Sequence, residues 1–222
     1  MKNVAMCGFC VALLLSLAAQ PASAQYGARG GFNLSDLVGP GVAEADARAG
    51  LAGGLGVSLL TLGPLSLTPE LYYIQKGAGS AQLLAESPEM FDEFGLDYVE
   101  VPVLARLGFP LPFGDGRFRG YAEGGPAFAW RVNCSISASE GDASLNDECA
   151  FLDFEGPDAV IDSADRGMVL GGGMMMEVPA VGGEVSLDLR LIRGLRRLAG
   201  GDSDLDARNQ SISLMLGFML GH

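Results

Sequence analysis

The sequence has a single histidine, His222, and only 14 basic residues against 27 acidic ones. A histidine at the very end of a chain is a poor candidate for general-base, nucleophilic or metal-binding chemistry, which disfavours the enzymes that depend on it. A net charge of −13 argues against nucleic-acid binding, because such surfaces need an excess of Lys and Arg. The sequence therefore predicts no catalytic residue, no cofactor, no metal site and no nucleic-acid partner.

Long helix-forming apolar stretches are also missing beyond residue 24. The longest uncharged segment, Leu51 to Pro69, is interrupted by glycines and by Pro64, which weaken and break helices. The proportion of charged residues is low as well: they make up 18% of the chain, whereas apolar residues make up 49%. That composition excludes intrinsic disorder, which combines high charge with low hydrophobicity.

The first 24 residues have the pattern of a secretory signal peptide. Lys2 supplies a positive charge, Val11–Ala19 form a short apolar run, and Ala22-Ser-Ala24 offers a cleavage site of small residues. The apolar run is short and ends before Pro21, which favours cleavage over a retained membrane anchor. We predict that residues 1–24 are removed and that residues 25–222 form one domain.

Two of the four cysteines, Cys134 and Cys149, remain after cleavage. Because an exported chain meets an oxidising compartment, we predict a disulfide between them that closes a polar loop. Such a bond stabilises a fold by about 3 kcal/mol in the chain-entropy description. A pair of free thiols is the alternative.

Apolar residues alternate with small or polar ones in eight segments of the chain. In one of them, Val185, Leu187 and Leu189 alternate with Ser186 and Asp188. A period of two residues is typical of a β-strand with two different faces. An even number of such strands predicts an all-β fold, namely a closed antiparallel up-and-down barrel of eight strands.

The connections between these strands alternate in length. Short ones are predicted near Thr61–Pro64, Pro110–Gly116 and Pro179–Gly183, where glycine and proline permit tight turns. Long ones, which hold most of the acidic residues, are predicted near Ser35–Gly50, Ala78–Gly95, Asn133–Ser163 and Leu198–Ala207. Short periplasmic turns and long extracellular loops are typical of transmembrane barrels of the outer membrane.

The less apolar face of the strands carries glycine, alanine and serine with a sparse set of charges. A soluble barrel such as a lipocalin would expose many more polar residues there. We therefore predict that this face lines a narrow lumen and that the bulky face meets lipid. The predicted lumen charges are Arg29, Glu70, Lys76, Glu100, Arg106, Arg119, Glu123, Arg131, Asp188 and Arg190. We interpret them as a network that packs the lumen and fixes strand register, in preference to an ion or proton path.

Four segments of the chain are informative beyond their alternation, namely Gly27–Leu37, Leu67–Gly77, Leu96–Leu104 and Tyr121–Pro126. In these segments the chain resembles the PorT-like, Bacteroidetes-type family of outer-membrane β-barrel proteins. The resemblance implies an eight-stranded barrel in the outer membrane and carries no enzymatic activity with it. It implies outer-membrane lipid, including lipopolysaccharide, and the barrel-assembly machinery as partners.

Composition, pattern and resemblance together predict a non-enzymatic outer-membrane protein with a structural or surface-interaction role. The acidic loops could meet an extracellular partner, or hold divalent cations that bridge to lipopolysaccharide phosphates. Three alternatives stay open at this point: an outer-membrane enzyme acting on lipid or peptide, a porin for small solutes, and a soluble lipocalin-like binder.

Overall fold

The computed structural model describes residues 25–40, 42–83, 90–91, 93–113, 116–137, 163–198 and 206–220. The predicted signal peptide and Cys149 lie outside these residues. The strands are β1 (Gln25–Val38), β2 (Val42–Ser58), β3 (Leu60–Leu62), β4 (Leu65–Leu83), β5 (Met90–Phe91), β6 (Glu93–Pro110), β7 (Phe118–Ser137), β8 (Ala164–Val178), β9 (Gly183–Gly194) and β10 (Arg208–Leu220). No helix in the described part of the chain has the length and apolar composition needed to cross a membrane.

The eight long strands close into an antiparallel barrel, as the alternation predicts. Their order around the sheet is β2-β1-β10-β9-β8-β7-β6-β4, and pairing between β2 and β4 completes the ring. The first and last strands, β1 and β10, pair continuously from Tyr26 with Leu220 to Val38 with Arg208. The short strands β3 and β5 both pair with β4. Closure leaves the long strands without a free edge, so their backbone groups are paired around the whole ring.

The short turns lie together at one end of the barrel, at the three places where they are predicted. One turn is Gly63-Pro64, another lies between β6 and β7, and the third is a single 3-10 turn, Pro179–Val181, followed by Gly182. Gly63 and Gly182 both have a φ of 61°, a left-handed conformation that favours glycine. We call this the short-turn end and the opposite one the long-loop end.

The predicted loop at Ser35–Gly50 is wrong. Most of those residues belong to β1 and β2, which are joined by a tight turn in which the Val42 amide donates to the Gly39 carbonyl at 3.1 Å. The predicted loop at Ala78–Gly95 is likewise shortened, because β4 extends to Leu83 and β6 begins at Glu93. Here the strands continue beyond the apolar part of the barrel, so their side chains lose the apolar alternation while the backbone pairing persists.

The side chains are distributed as a membrane barrel requires. Phe32 and Leu216, on the outward face, are 71% and 63% exposed, whereas Arg190 and Asp188, on the inward face, are 3% and 0% exposed. A soluble barrel would reverse this pattern, since its charges would face water. The lipocalin-like alternative is therefore wrong.

Adjacent glycines on β2 provide a test of the packing between strands. A Cβ at Gly54 would overlap the backbone of β4, with the Tyr72 Cα at 2.8 Å, whereas a Cβ at Gly53 would lie 3.6 Å from its nearest atom, the Arg29 carbonyl oxygen. We expect Gly54→Ala to lower the free energy of unfolding by about 1–3 kcal/mol through overpacking. Gly53→Ala is the matched control and should change it little. Urea titration of the refolded barrel measures both, and equal losses would contradict the packing described here.

Candidate functional site

Six charged side chains meet in the middle of the lumen and form what we call the central cluster. Five strands supply them: β1, β4, β6, β7 and β9. The members are Arg29, Glu70, Arg106, Glu123, Asp188 and Arg190. Three positive and three negative groups give the cluster a formal charge of zero.

Glu70 and Glu123 hold the central cluster together. The two carboxylate oxygens of Glu70 accept hydrogen bonds from Arg29 Nη1 at 2.9 Å and from the two terminal nitrogens of Arg190 at 2.6 and 3.0 Å. Glu123 accepts from Arg190 Nε at 2.7 Å and from Arg106 Nη2 and Nε at 2.7 and 3.1 Å. Asp188 lies 3.5 Å from Arg29 Nη1 and accepts a bond from a neighbouring serine. Each carboxylate therefore faces at least one guanidinium group.

Glycines make room for these large side chains inside a narrow barrel. Arg29 lies between Gly54 and Gly217 on its two neighbouring strands, and Arg190 lies beside Gly171. A Cβ on Gly217 would stand 2.8 Å from the Arg29 Cγ, and one on Gly171 would stand 3.0 Å from the Arg190 Cγ. The alternation of small and long side chains in the sequence is thus a packing requirement of the lumen.

Tyrosine rings line the same lumen. Tyr121 lies under the guanidinium group of Arg106, with 4.5 Å from Cζ to the ring centroid, and Tyr72 lies 5.4 Å from that of Arg190. Such cation–π contacts are favourable when the cation is removed from water. The rings also fill space between the ion pairs, so the cluster is flanked by apolar surface as well as by charge.

A second group of polar side chains lies nearer the long-loop end, and we call it the upper cluster. Lys76 Nζ donates to Glu100 Oε2 at 2.5 Å and lies 5.5 Å from the centroid of the Tyr98 ring. Asn209 Nδ2 lies 3.2 Å from both the Tyr98 hydroxyl and the Asp165 carboxylate. These five side chains are all buried, so side chains fill the lumen at this level as well.

A cavity of about 420 Å³ opens at the short-turn end of the lumen. Its wall includes Arg119, which donates to Glu184 and lies 3.6 Å from Glu177. Arg106 of the central cluster also lines it. The cavity is therefore a vestibule that ends at the central cluster.

The ten predicted lumen charges thus occupy four places. Six form the central cluster, and Lys76 and Glu100 form the ion pair of the upper cluster. Arg119 lies in the vestibule, and Arg131 lies in the part of β7 that pairs with Tyr98.

The predicted disulfide stays a prediction, because Cys134 lies on β7 but Cys149 lies outside the described residues.

Three further acidic residues are buried but are not among the ten predicted lumen charges: Glu184, Asp97 and Asp165. Glu184 continues the alternation of Ser186 and Asp188 along β9, and this signal could have identified it. Asp97 accepts from the Tyr73 hydroxyl at 2.8 Å, a contact between strands that no local pattern indicates. Asp165 directly follows a segment rich in acidic residues, so the sequence does not distinguish it from a loop residue although it lies at the start of β8.

Comparison with known proteins gives one family match. The family described as "Outer membrane protein beta-barrel domain" matches residues 18–200 of the chain. Among proteins with curated descriptions, none matches.

Several solved structures have a similar fold. The chain is similar to Ail, the attachment invasion locus protein of Yersinia pestis, with 12% identity and a TM-score of 0.42 over 90% of this chain and 100% of Ail. It is similar to OprG from Pseudomonas aeruginosa, with 10% identity and a TM-score of 0.49 over 90% of this chain and 98% of OprG. It is also similar to PagL, described as an outer membrane enzyme, with 15% identity and a TM-score of 0.39 over 86% of this chain and 99% of PagL.

Proposed function

Since the chain belongs to the outer membrane protein beta-barrel domain family, and is thus a protein of the outer membrane, we propose that it acts there without catalysing a reaction. In this proposal the barrel is a closed, membrane-embedded support. Its role is structural, or it mediates surface interactions through the acidic segments at its long-loop end. The single observation that supports the proposal most is the ion-paired central cluster in the lumen.

The central cluster argues against passage of solutes. An eight-stranded barrel encloses only enough space for its own side chains. Here that space holds six charged groups whose side chains are at most 6% exposed, and the vestibule ends at this layer. Moving an ion through it would require separating buried ion pairs, which costs several kcal/mol for each broken pair. A porin role is therefore disfavoured.

The same contacts argue against an enzymatic role for the lumen. General acid–base catalysis needs a group that is free to take up or release a proton next to a substrate. Within the described residues, Glu70 and Glu123 are each bound to more than one arginine, and Glu100 is bound to Lys76. These carboxylates are committed to ion pairs, which supports a structural role for them.

Within the family, we assign the chain to the PorT-like group. The four segments that carry this resemblance also supply most of the two clusters. Gly27–Leu37 contains Arg29, and Leu67–Gly77 contains Glu70, Tyr72 and Lys76. Leu96–Leu104 contains Tyr98 and Glu100, and Tyr121–Pro126 contains Glu123. The shared segments are thus lumen-forming segments, which supports a common interior.

Conductance of the refolded protein in planar lipid bilayers tests this proposal. We expect no large steady conductance, whereas an open porin reconstituted in the same membrane provides the positive control. A steady conductance of the unmodified protein would overturn the closed-lumen assignment. Hydrolysis of phospholipid, lipopolysaccharide or peptide substrates by the same preparation would overturn the non-enzymatic assignment.

A further inference from the structure

Charged hydrogen-bond donors at the floor of the vestibule face a thioether. Arg106, a member of the central cluster, lines the vestibule and is 5% exposed. Glu123 accepts from its Nε and Nη2, whereas Nη1 donates to the Met219 sulfur at 3.8 Å. Arg29 Nη2 donates to the same sulfur at 3.6 Å. Since a thioether is a weak acceptor, each guanidinium group keeps one terminal nitrogen without a strong acceptor in the part of the chain that the structure describes.

The wall of the vestibule holds another donor that is incompletely used. Arg119 donates to Glu184 through Nη2, but its Nε is buried and has no hydrogen-bond partner among the described residues. A buried donor without a partner is unfavourable, because it has lost its hydrogen bonds to water. Arg106 and Arg119 thus border the same open cavity with donors that a strong acceptor could satisfy.

The remaining surface of the vestibule is mainly apolar. Its lining includes Pro64, Met175 and Met219. Small-molecule sites have volumes of roughly 300–1,000 Å³ and combine apolar walls with a few polar groups that orient the ligand. The vestibule, with about 420 Å³ and two arginines, has that composition. It is suited to an acid that carries an apolar chain.

We propose that the vestibule binds a monocarboxylate with a short apolar chain. The carboxylate replaces the Met219 sulfur as the acceptor of Arg106 Nη1, because guanidinium and carboxylate groups form strong, charge-assisted hydrogen bonds. The apolar chain lies against Met175 and Pro64. One negative charge suits the site better than two, since the Glu184 carboxylate also lines the cavity and repels an anion. The inference is separate from the proposed function, because a ligand that enters and leaves through one opening needs neither conduction nor catalysis.

Nuclear magnetic resonance of the refolded barrel, with carbon-13 in the methionine methyl groups, measures this binding. Hexanoate is the ligand, at about pH 8. The methyl signals of Met175 and Met219 in the vestibule should shift and reach saturation. Those of Met168 and Met174, which are exposed on the outward face, should not, and they control for partition of hexanoate into lipid or detergent. Unchanged vestibule signals, or equal shifts in both sets, would overturn the proposal.

A pair of arginine variants tests the polar contacts. Arg119→Gln removes one guanidinium group from the vestibule, and we expect the Kd for hexanoate to rise about fivefold or more. Arg117→Gln is the matched control, because Arg117 is exposed at the short-turn end but is not among the described residues that line the vestibule. Its Kd should stay within about twofold of the unmodified protein. The same Kd for both variants would contradict the proposal.

Comparison of ligands tests the proposal on the unmodified protein, and it remains decisive if Arg119→Gln folds poorly. Hexanamide has the chain without the charge, and acetate has the charge without the chain, so each should bind about tenfold more weakly or worse than hexanoate. Equal binding by either compound would overturn the proposal. Hexyl phosphate carries a second negative charge and should also bind more weakly; tighter binding would overturn the preference for a single charge. N-acetyl-leucine carries its carboxylate on a peptide-like body, and equal binding by it would assign the site to the carboxyl end of a peptide in place of a free acid.

Discussion

Glu70→Gln is expected to lower the free energy of unfolding by about 3–5 kcal/mol. The substitution keeps the shape of the side chain but removes the carboxylate charge that faces Arg29 and Arg190 within 3.0 Å and Arg106 at 3.7 Å. One positive charge is then left without compensation among side chains that are at most 6% exposed. Urea titration of the barrel in lipid, followed by far-ultraviolet circular dichroism, measures the loss.

Two further variants separate this effect from a general sensitivity to substitution. Glu177→Gln changes the same residue type on β8, where the side chain is 48% exposed beside Arg119, and should cost less than about 1 kcal/mol. Glu70→Gln/Arg29→Gln restores a neutral central cluster, so its loss should be smaller than the sum of the two single losses. Strictly additive losses would show that the two side chains are not coupled.

Leu187→Arg is expected to cost about 2–4 kcal/mol, because it places a charge on the lipid-facing side near the middle of the membrane. Leu187 lies in the middle of β9, and its partners in register are Met174 on β8 and Leu216 on β10. All three side chains are exposed on the outward face. The charge would therefore be surrounded by apolar side chains and hydrocarbon, without a counter-ion.

The matched control for this substitution is Leu62→Arg. Leu62 is also outward and exposed, but it ends β3 beside the turn at Gly63-Pro64. A charge near the interface reaches water, so the expected cost is only about 0–1 kcal/mol. The same urea titration compares the two variants. If Leu187→Arg proves as stable as Leu62→Arg, the assignment of the outward face to lipid is wrong.

The fold and the inward face could be predicted from the sequence because a strand has an invariant period of two. Once Leu187 is assigned to lipid, Asp188 and Arg190 must face the lumen, and the same reasoning applies to Arg29 and Glu70 on other strands. The requirement that a narrow lumen hold small residues beside large ones adds a second, independent signal. Alternation and glycine content together therefore carry most of the architecture.

The partners within the lumen could not be predicted in the same way. Arg190 and Glu70 are 120 residues apart in sequence, and Arg29 and Glu70 are 41 apart. Which side chains meet depends on the stagger of the strands around the closed ring, and that stagger is a property of the whole barrel.

The error at Ser35–Gly50 has a different cause. The apolar alternation reports contact with lipid, and it ends where the lipid ends. The strands themselves continue, because backbone hydrogen bonds between β1 and β10 persist up to the pair of Val38 with Arg208. The polar residues in this region therefore have the sequence pattern of a loop, although most of them belong to paired strands.

The paired extension of β1 and β2 has a consequence for recognition. A mobile loop loses conformational entropy when a ligand binds it, at roughly 0.5–1.5 kcal/mol for each side chain that is immobilised and more for its backbone. In the hairpin that turns at Gly39-Pro40, the backbone is already ordered when the barrel folds. A molecule that binds this hairpin would therefore cause a smaller loss of backbone entropy than one that binds a mobile loop. For the same contacts, its affinity would be higher.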